Sequence, residues 1–362
     1  MGSDKRGFNF APGPATMPLE VLERAAAEMT NYGGSGMSVM EMSHRGKAYQ
    51  AIFDETVSLV RELMALPDEY EVLLLQGGAT AQFAGVPMNL MTVSKSADYI
   101  DSGNFAHSAI VEAGKYGHVR VVASSREQNY AGIPRWNEAD FDKNADYFYI
   151  TTNNTIYGTR FTELPNTAGV PLVADASSNI LSEVYDITKF GVMYAGAQKN
   201  IGPAGVTLVV VRRDLLGRAM EITPNIMTWQ KMADAGSMIN TPPTYAIYLC
   251  GLCLKWLKAQ GGVAAIEQIN IEKAKLLYDC RDGSRLFKGV AEVPFRSRMN
   301  VTFRTGNEAL DAAYVKGAAA VGLSGLKGHR AAGGMRASIY NAMPIEGVRA
   351  LVDYMQEFER RH

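Results

Sequence analysis

Short apolar runs of strand length recur along the chain and alternate in several places with stretches of helical periodicity. Residues 48–65 and 79–91 have the spacing of apolar positions that is typical of helices. The strand-like runs cover residues 71–75, 98–101, 119–122, 146–151, 171–175, 192–195 and 206–211. This alternation predicts an α/β domain with a mainly parallel, seven-stranded sheet that helices cover on both faces.

The pattern changes after residue 261. A long helix is predicted at 243–259, before Gly261-Gly262, and beyond it three further helical stretches interleave with two strand-like runs. The helical stretches are 263–279, 307–321 and 345–361, and the strand-like runs are 299–304 and 334–340. We therefore expect a large domain at 16–261 and a smaller α+β domain at 262–362, with residues 1–15 packing near the smaller one.

Composition and charge narrow the class of partner. With 47% hydrophobic and 20% charged residues, the chain can bury a large core. The formal net charge of -1 gives no support to a nucleic-acid or membrane partner, so an anionic ligand needs a local basic cluster. No apolar stretch could span a bilayer, and Met1–Arg6 lacks the apolar core of a signal peptide. A cytoplasmic enzyme is expected.

Two of the three cysteines have the spacing of a redox or metal site. Cys250 and Cys253 are separated by two residues, but they lie in an apolar stretch that is predicted to be a buried helix. Neither a second CxxC nor a nearby histidine pair completes a zinc site. Both are therefore expected to act as small buried hydrophobic residues, and no metal is predicted.

An aspartate ends one of the strand-like runs, and a lysine follows another. Asp175 ends Leu172-Val173-Ala174-Asp175, and Lys199 follows Tyr194-Ala195-Gly196-Ala197-Gln198. A parallel sheet would bring both residues to one edge. A lysine can form an imine with the aldehyde of pyridoxal 5'-phosphate (PLP), and a carboxylate beside the pyridine nitrogen keeps that nitrogen protonated. The pair predicts a PLP enzyme.

Three further features suit a phosphorylated, aromatic cofactor. Gly77-Gly78 follows a strand-like run and opens a helical stretch, which lets backbone amides approach a phosphate, although an ordinary strand-to-helix turn has the same pattern. The dinucleotide and P-loop fingerprints are absent from the sequence. Phe105 could stack on a flat ring, or belong to the core. Thr155 could form a hydrogen bond with a ring substituent, or with the backbone of its own turn.

Two basic clusters could hold small anions. His44-Arg45-Gly46-Lys47 lies near the N-terminus, and Lys327-Gly328-His329-Arg330 precedes Arg336 in a glycine-rich segment. Arginine matches carboxylates and phosphates with two parallel hydrogen bonds, and histidine can add a donor. Solvated surface charge is the alternative for either cluster alone. Together they favour multiply anionic small molecules as ligands.

Several stretches match one family closely. The chain resembles the phosphoserine aminotransferases, PLP enzymes of the class V aminotransferase group with the type I fold, from about residue 8 to the C-terminus. The matching stretches are Phe8-Asn9-Phe10 with Gly13-Pro14, Val39-Met40-Glu41-Met42-Ser43-His44-Arg45-Gly46-Lys47, Ala195-Gly196-Ala197-Gln198-Lys199-Asn200-Ile201-Gly202-Pro203-Ala204-Gly205, Asn240-Thr241-Pro242-Pro243-Thr244, Lys327-Gly328-His329-Arg330 and Gly333-Gly334-Met335-Arg336-Ala337-Ser338-Ile339-Tyr340-Asn341-Ala342.

The resemblance implies a role for each matching residue. Lys199 would carry PLP covalently, and Asp175 would partner the pyridine nitrogen. The other implied cofactor contacts are Ala79, Thr80, Phe105, Thr155, Gln198, Asn240 and Thr241. Asn240 and Thr241 match residues that reach the cofactor phosphate of the neighbouring subunit, which implies a homodimer with shared active sites.

The resemblance also implies the reaction and the substrate pocket. Phosphoserine and 2-oxoglutarate would be interconverted with 3-phosphooxypyruvate and glutamate in serine biosynthesis. Many members also process 4-phosphohydroxy-L-threonine in vitamin B6 synthesis. Arg336 would bind the substrate α-carboxylate. The implied contacts to the substrate phosphate or the distal carboxylate of glutamate are His44, Arg45, His329 and Arg330, with the last two lent across the dimer.

Three places depart from the family pattern. Ala11-Pro12 precedes Gly13-Pro14 where relatives often have small polar residues, so no ligand role is expected for that loop. Phe105 stands where many relatives have tryptophan, and Thr80 replaces an arginine found in some members.

Three other functions compete with this interpretation. An alanine–glyoxylate-type aminotransferase and a cysteine desulfurase are the alternatives within class V. A desulfurase needs a cysteine on a mobile loop, which the sequence does not indicate. A catalytically dead PLP-fold binding protein should have lost Lys199 or Asp175, and both are present.

Overall fold

The computed structural model describes residues 6–362, so the prediction made on Met1–Arg6 falls almost wholly outside the described residues. In chain order the strands are β1 (Phe8–Asn9), β2 (Tyr70–Leu75), β3 (Ser96–Asp101), β4 (His118–Ser124), β5 (Tyr147–Thr151), β6 (Asn153–Asn154), β7 (Thr159–Arg160), β8 (Leu172–Asp175), β9 (Val192–Gly196), β10 (Thr207–Arg212), β11 (Lys288–Gly289), β12 (Asn300–Arg304), β13 (Leu323–Ser324) and β14 (Met335–Ser338). The α-helices are α1 (Leu19–Ala27), α2 (Lys47–Leu63), α3 (Gly78–Leu90), α4 (Asn104–Ala113), α5 (Trp229–Asp234), α6 (Thr244–Ala259), α7 (Gly262–Asp282), α8 (Glu308–Ala320) and α9 (Ile345–Arg361).

The predicted large sheet is confirmed. Seven strands run in the order β2-β10-β9-β8-β5-β3-β4, and all neighbours pair in parallel except β10, which is antiparallel to both β2 and β9. Each strand lies within two residues of its predicted run. Because the strands from β8 to β3 are parallel, their carboxyl ends share one edge of the sheet.

Helices cover both faces of this sheet, as the near-continuous apolar strands require. On one face α1, α2 and α6 pack against residues such as Leu74 and Ala174. On the other face α3, α4 and α5 pack against Leu73 and Val173. Adjacent strand residues therefore point to opposite layers, which is the period of two expected of a strand.

The C-terminal region forms its own core around the sheet β11-β12-β14 and helices α7, α8 and α9. These three helices confirm the helical stretches predicted at 263–279, 307–321 and 345–361. The N-terminal strand β1 pairs in parallel with β13, so Phe8 lies beside Leu323. The division of the chain at residue 261 stays a prediction.

Three helices of the large sheet region were not predicted. They are α1, α4 and α5. In α4 the fully buried residues are Ala106, Ala109 and Ala113, which have helical spacing but give little hydrophobic contrast. Within the described residues, no helix is long and apolar enough to cross a membrane.

The cysteine pair lies inside α6, as predicted. Cys250 and Cys253 are both free and buried. Burial raises the pKa of Cys253 to about 12, so the thiol stays protonated at neutral pH. In residues 6–362 no group of three or more His, Cys, Asp or Glu side chains is placed to hold a metal ion.

Candidate active site

A cavity of about 240 Å³ opens where β5, β8 and β9 end at the carboxyl edge of the sheet. Ligands bind at this edge in open α/β sheets because loops and helix N-termini converge there. Nine of the predicted site residues line the cavity: Ala79, Thr80, Phe105, Thr155, Asp175, Gln198, Lys199, His329 and Arg336. The structure thus brings together residues that are up to 257 positions apart (336 − 79).

Lys199 lies in the turn that follows β9, with its amine inside the cavity. Its Nζ donates a hydrogen bond to Thr155 Oγ1 at 2.7 Å and lies 5.6 Å from the centre of the Phe105 ring. Burial lowers the pKa of this amine to about 8, with Arg336 acting in the same direction and Asp175 opposing. A fair fraction of the amine is therefore neutral near pH 8, as a nucleophile or general base requires.

Asp175 is the last residue of β8 and is 4% exposed. Its Oδ1 accepts a hydrogen bond from the backbone N–H of Ser177 at 2.9 Å. Burial raises the pKa of the carboxyl group, whereas hydrogen bonds from Ser177 and the charge of Lys199 lower it. A buried carboxylate in this position can stabilise a positive charge placed in the cavity.

Thr155 connects the lysine to a buried arginine. It lies in the turn between β6 and β7, and the β6 residue Asn153 is fixed by hydrogen bonds to Ser178 at 2.8 Å and Asn300 at 2.9 Å. While its hydroxyl contacts Lys199, its carbonyl oxygen accepts a hydrogen bond from Arg336 Nη1 at 3.2 Å. One residue therefore positions the two main cations of the cavity.

Arg336 extends from β14 and is 5% exposed. Its Nε has no hydrogen-bond partner among the described residues, and burial lowers its pKa from the usual value. An unpaired donor on a buried guanidinium is costly unless a ligand completes it. A carboxylate, which can accept two parallel hydrogen bonds, fits this requirement.

The N-terminus of α3 also lines the cavity. Gly77, at φ +93°, makes the turn that starts the helix, and a Cβ there would lie 2.6 Å from the Cβ of Ala81. No side chain caps this helix, so the amides of Ala79 and Thr80 can bind an anion. Thr151 Oγ1, also on the cavity wall, has no partner among residues 6–362.

These features fit PLP. The N-terminus of α3 can bind the phosphate of PLP, and Phe105 can stack on its ring. Asp175 can pair with the pyridine nitrogen, and Lys199 can form an imine with the aldehyde. The unpartnered Nε of Arg336, a residue on the cavity wall, is consistent with a polar ligand in the cavity.

Five predicted site residues do not line this cavity. Arg45, Arg330, Asn240 and Thr241 are exposed, and His44 is half-buried. Asn240 Oδ1 accepts a hydrogen bond from Gln76 at 3.3 Å, next to the glycine turn of α3. His329 lines the cavity of its own chain, so its assignment to a neighbouring subunit stays a prediction. Burial and the two nearby arginines lower its pKa.

Sequence reasoning did not identify the N-terminal loop as part of the site. Pro12 and Gly13 line the cavity, and a Cβ on Gly13 would lie 3.2 Å from Lys199 Cγ, at a φ of +140°. The Gly13-Pro14 pair was the available signal. Ser177 was also missed, although it lies two residues after Asp175 and supports its carboxylate.

Comparison with known proteins gives a consistent result. The family model described as aminotransferase class-V matches residues 7–351. The chain is 50% identical over 355 residues to a phosphoserine aminotransferase of Bacillus cereus, covering 98% of this chain and 99% of that protein. It is similar to the solved structure of phosphoserine aminotransferase from Bacillus circulans subsp. alkalophilus, with a TM-score of 0.95, 44% identity and coverage of 98% and 99%. The chain is also similar to the solved structure of the PLP-bound phosphoserine aminotransferase from Trichomonas vaginalis. The TM-score is 0.93 and the identity is 38%, and the match covers 97% of this chain and 100% of that chain.

Proposed function

Since the chain belongs to the phosphoserine aminotransferases of the class V aminotransferase family, we propose that it interconverts O-phospho-L-serine and 2-oxoglutarate with 3-phosphooxypyruvate and L-glutamate. It is a PLP-dependent transaminase, and the reaction serves serine biosynthesis. The full-length similarity to phosphoserine aminotransferases confirms the resemblance found in the sequence. It also disfavours the alanine–glyoxylate and desulfurase alternatives.

The observation that carries the proposal is the arrangement of Lys199, Asp175 and Arg336 around one cavity, with Lys199 half-buried and the other two buried. The lysine supplies an amine with a lowered pKa, the aspartate a carboxylate, and the arginine an unpaired donor. Transamination of an amino acid requires a base for the α-proton, a carboxylate that supports the electron-withdrawing cofactor ring, and a group that binds the substrate carboxylate.

PLP supplies an electrophilic aldehyde and a ring that accepts electrons from the substrate α-carbon. Asp175 would hold the pyridine nitrogen of PLP, where its buried carboxylate would favour the protonated ring. Lys199 would hold PLP through the aldehyde of the cofactor, and its Nζ, whose pKa burial lowers to about 8, would serve as the base that takes and returns the substrate α-proton. Thr155 holds that amine in position through the hydrogen bond of 2.7 Å.

Three residues serve substrate recognition. Arg336 binds the α-carboxylate and so orients the α-hydrogen toward Lys199. His329 on the cavity wall, together with the exposed Arg45, provides donors to the substrate phosphate or to the distal carboxylate of glutamate. A phosphate carries more charge and more oxygens than a carboxylate, so these donors favour phosphoserine over serine.

We infer a homodimer in which Asn240 and Thr241 complete the partner's phosphate site. Both residues are exposed, and Asn240 contacts Gln76 beside the first turn of α3. The test mixes a Lys199→Ala chain with a Thr241→Ala chain, which regenerates some sites that contain both groups. Activity above that of either parent is expected. No recovery, despite demonstrated heterodimers, would argue that each chain builds its own site.

The proposed reaction is tested by the absorption spectrum of the purified enzyme before and after the addition of phosphoserine. The bound cofactor should change to its amine form with phosphoserine and with glutamate, and much more slowly with serine. Formation of glutamate from phosphoserine and 2-oxoglutarate is then measured directly. Equal rates for serine and phosphoserine would contradict the proposed substrate.

A further inference from the structure

One face of the sheet β11-β12-β14 contacts the turn between β6 and β7 that carries Thr155. Alternate residues of a strand point to the same side, so Asn300 and Thr302 of β12 lie on one face. Their register partners in β14, Ser338 and Arg336, share that face. Arg336 contacts the turn through the carbonyl oxygen of Thr155. The reaction described above assigns no role to Asn300 or Thr302.

Asn300 is fully buried and uses both ends of its side-chain amide. Its Oδ1 accepts a hydrogen bond from Nδ2 of Asn153, where the turn begins, at 2.9 Å. Its Nδ2 donates to the hydroxyl groups of Ser338 at 3.0 Å and Tyr340 at 3.1 Å. Tyr340 in turn donates to the carbonyl oxygen of Pro12, a residue on the cavity wall, at 2.7 Å. One amide therefore connects the start of the turn, strand β14 and the N-terminal loop.

Thr302 holds the other end of the same turn. Its buried hydroxyl donates a hydrogen bond to the carbonyl oxygen of Tyr157 at 3.0 Å. Gly158 packs directly on β12, since a Cβ there would lie 2.5 Å from the carbonyl oxygen of Asn300 and 3.2 Å from the Thr302 hydroxyl. The turn is thus fixed on both sides of Thr155.

We propose that Asn300 and Thr302, the β12 pair, are positioning residues that hold Thr155 in contact with both cations of the cavity. The Thr155 hydroxyl then meets the Lys199 amine at 2.7 Å, and its carbonyl oxygen meets Arg336 at 3.2 Å. Such bonds need a separation of at most about 3.2 Å, so a displacement of the turn by about 1 Å would break them. Neither residue of the β12 pair lines the cavity formed by the described residues, so both act through Thr155.

The first test removes the Thr302 hydroxyl and changes the shape of the side chain little. Competitive acetylation of the full chain without PLP, measured against pH, reports the contact between Thr155 and Lys199, whose pKa burial lowers to about 8. Thr302→Val should lower the midpoint by about half a unit, because the Thr155 hydroxyl stabilises the ammonium form more than the neutral amine. Thr302→Ser keeps a hydroxyl and should leave the midpoint near 8.

Thr56→Val is the matched control for Thr302→Val. Thr56 is also buried, and its hydroxyl donates to the carbonyl oxygen of Ile52 at 2.8 Å within α2, a helix that does not line the cavity of the described residues. The control therefore loses the same kind of hydrogen bond at a distant place. A loss of stability alone would move both variants alike, whereas the proposal expects the midpoint of Thr56→Val to stay near 8.

Asn300→Ala removes the other member of the β12 pair and should lower the midpoint in the same direction. Its control is Asn89→Ala, since the Asn89 amide is also buried and makes three hydrogen bonds, all to backbone groups. This control should keep the wild-type midpoint. If Asn300→Ala fails to fold, Thr302→Val and its control decide the question.

A double variant shows whether the effect passes through Thr155. Thr155→Val already lacks the hydroxyl that contacts the lysine, so adding Thr302→Val should cause no further shift of the midpoint. A wild-type midpoint in Thr302→Val, an equal shift in Thr56→Val, or a shift that adds to that of Thr155→Val would each overturn the role of the β12 pair.

The consequence for the bound substrate rests on the proposed function. In the holoenzyme, Thr302→Val should raise KM for phosphoserine and for glutamate by the same factor, about threefold, because both substrates share the α-carboxylate that Arg336 would bind. Unequal factors would contradict the link to Arg336. Failure of the wild type to transaminate phosphoserine would refute the proposed function and leave the acetylation result intact.

Discussion

Replacing Thr155 by valine removes the hydroxyl that contacts the Lys199 amine at 2.7 Å and changes the shape of the side chain little. The hydroxyl can accept a hydrogen bond from the ammonium form and donate one to the neutral form. A hydrogen bond to a charged group contributes ~1.5–3 kcal/mol, and one between neutral groups ~0.5–1.5 kcal/mol. The protonated amine therefore loses about 1–1.5 kcal/mol more than the neutral amine.

That difference corresponds to about one pKa unit, since one unit equals about 1.4 kcal/mol. In the wild type, burial already lowers the pKa of Lys199 to about 8. The neutral amine predominates above this pH, so Lys199 should react with acetic anhydride at a rate that rises with pH through 8. In Thr155→Val the midpoint should move down to about 7.

The assay is competitive acetylation of the enzyme without PLP from pH 5 to pH 10, with the label on Lys199 quantified by mass spectrometry of the peptide. Thr207→Val is the matched control, because Thr207 is also fully buried and its hydroxyl has no hydrogen-bond partner in residues 6–362. It should leave the midpoint near 8. A midpoint that stays at 8 or rises in Thr155→Val would refute the reasoning.

Three further changes test the assigned roles. Reduction of the holoenzyme with borohydride followed by peptide mapping should place the pyridoxyl group on Lys199, and a label on another lysine would overturn that assignment. Asp175→Asn should retain part of the bound PLP but lose most of the α-proton exchange rate, because a neutral amide does not hold the pyridinium proton. Exchange near the wild-type rate would contradict the role of Asp175 in electron withdrawal. Arg45→Ala should lower kcat/KM for phosphoserine at least tenfold, since a hydrogen bond to a charged group contributes ~1.5–3 kcal/mol, with the spectrum of the resting enzyme unchanged. Unimpaired turnover of phosphoserine would remove Arg45 from the pocket.

The sequence by itself determined the architecture and placed Asp175 and Lys199 at one edge of the sheet. Apolar periodicity is a local property, so the seven strands and the helices α2, α3, α6, α7, α8 and α9 could be predicted within a few residues. The glycine turn before α3, Asp175 and Lys199 all follow strand-like runs, and parallel strands end at one edge. Helix α4 was missed because its buried side is made of alanines, which give a weak pattern.

Only the tertiary structure decided how the site is held together. Thr155 contacts Lys199, 44 residues further along the chain, and Arg336, 181 residues further along. Gly13 packs against Lys199 from near the N-terminus. Such contacts depend on strand order and register, which local periodicity does not encode, because a strand with the same pattern could pair with different neighbours.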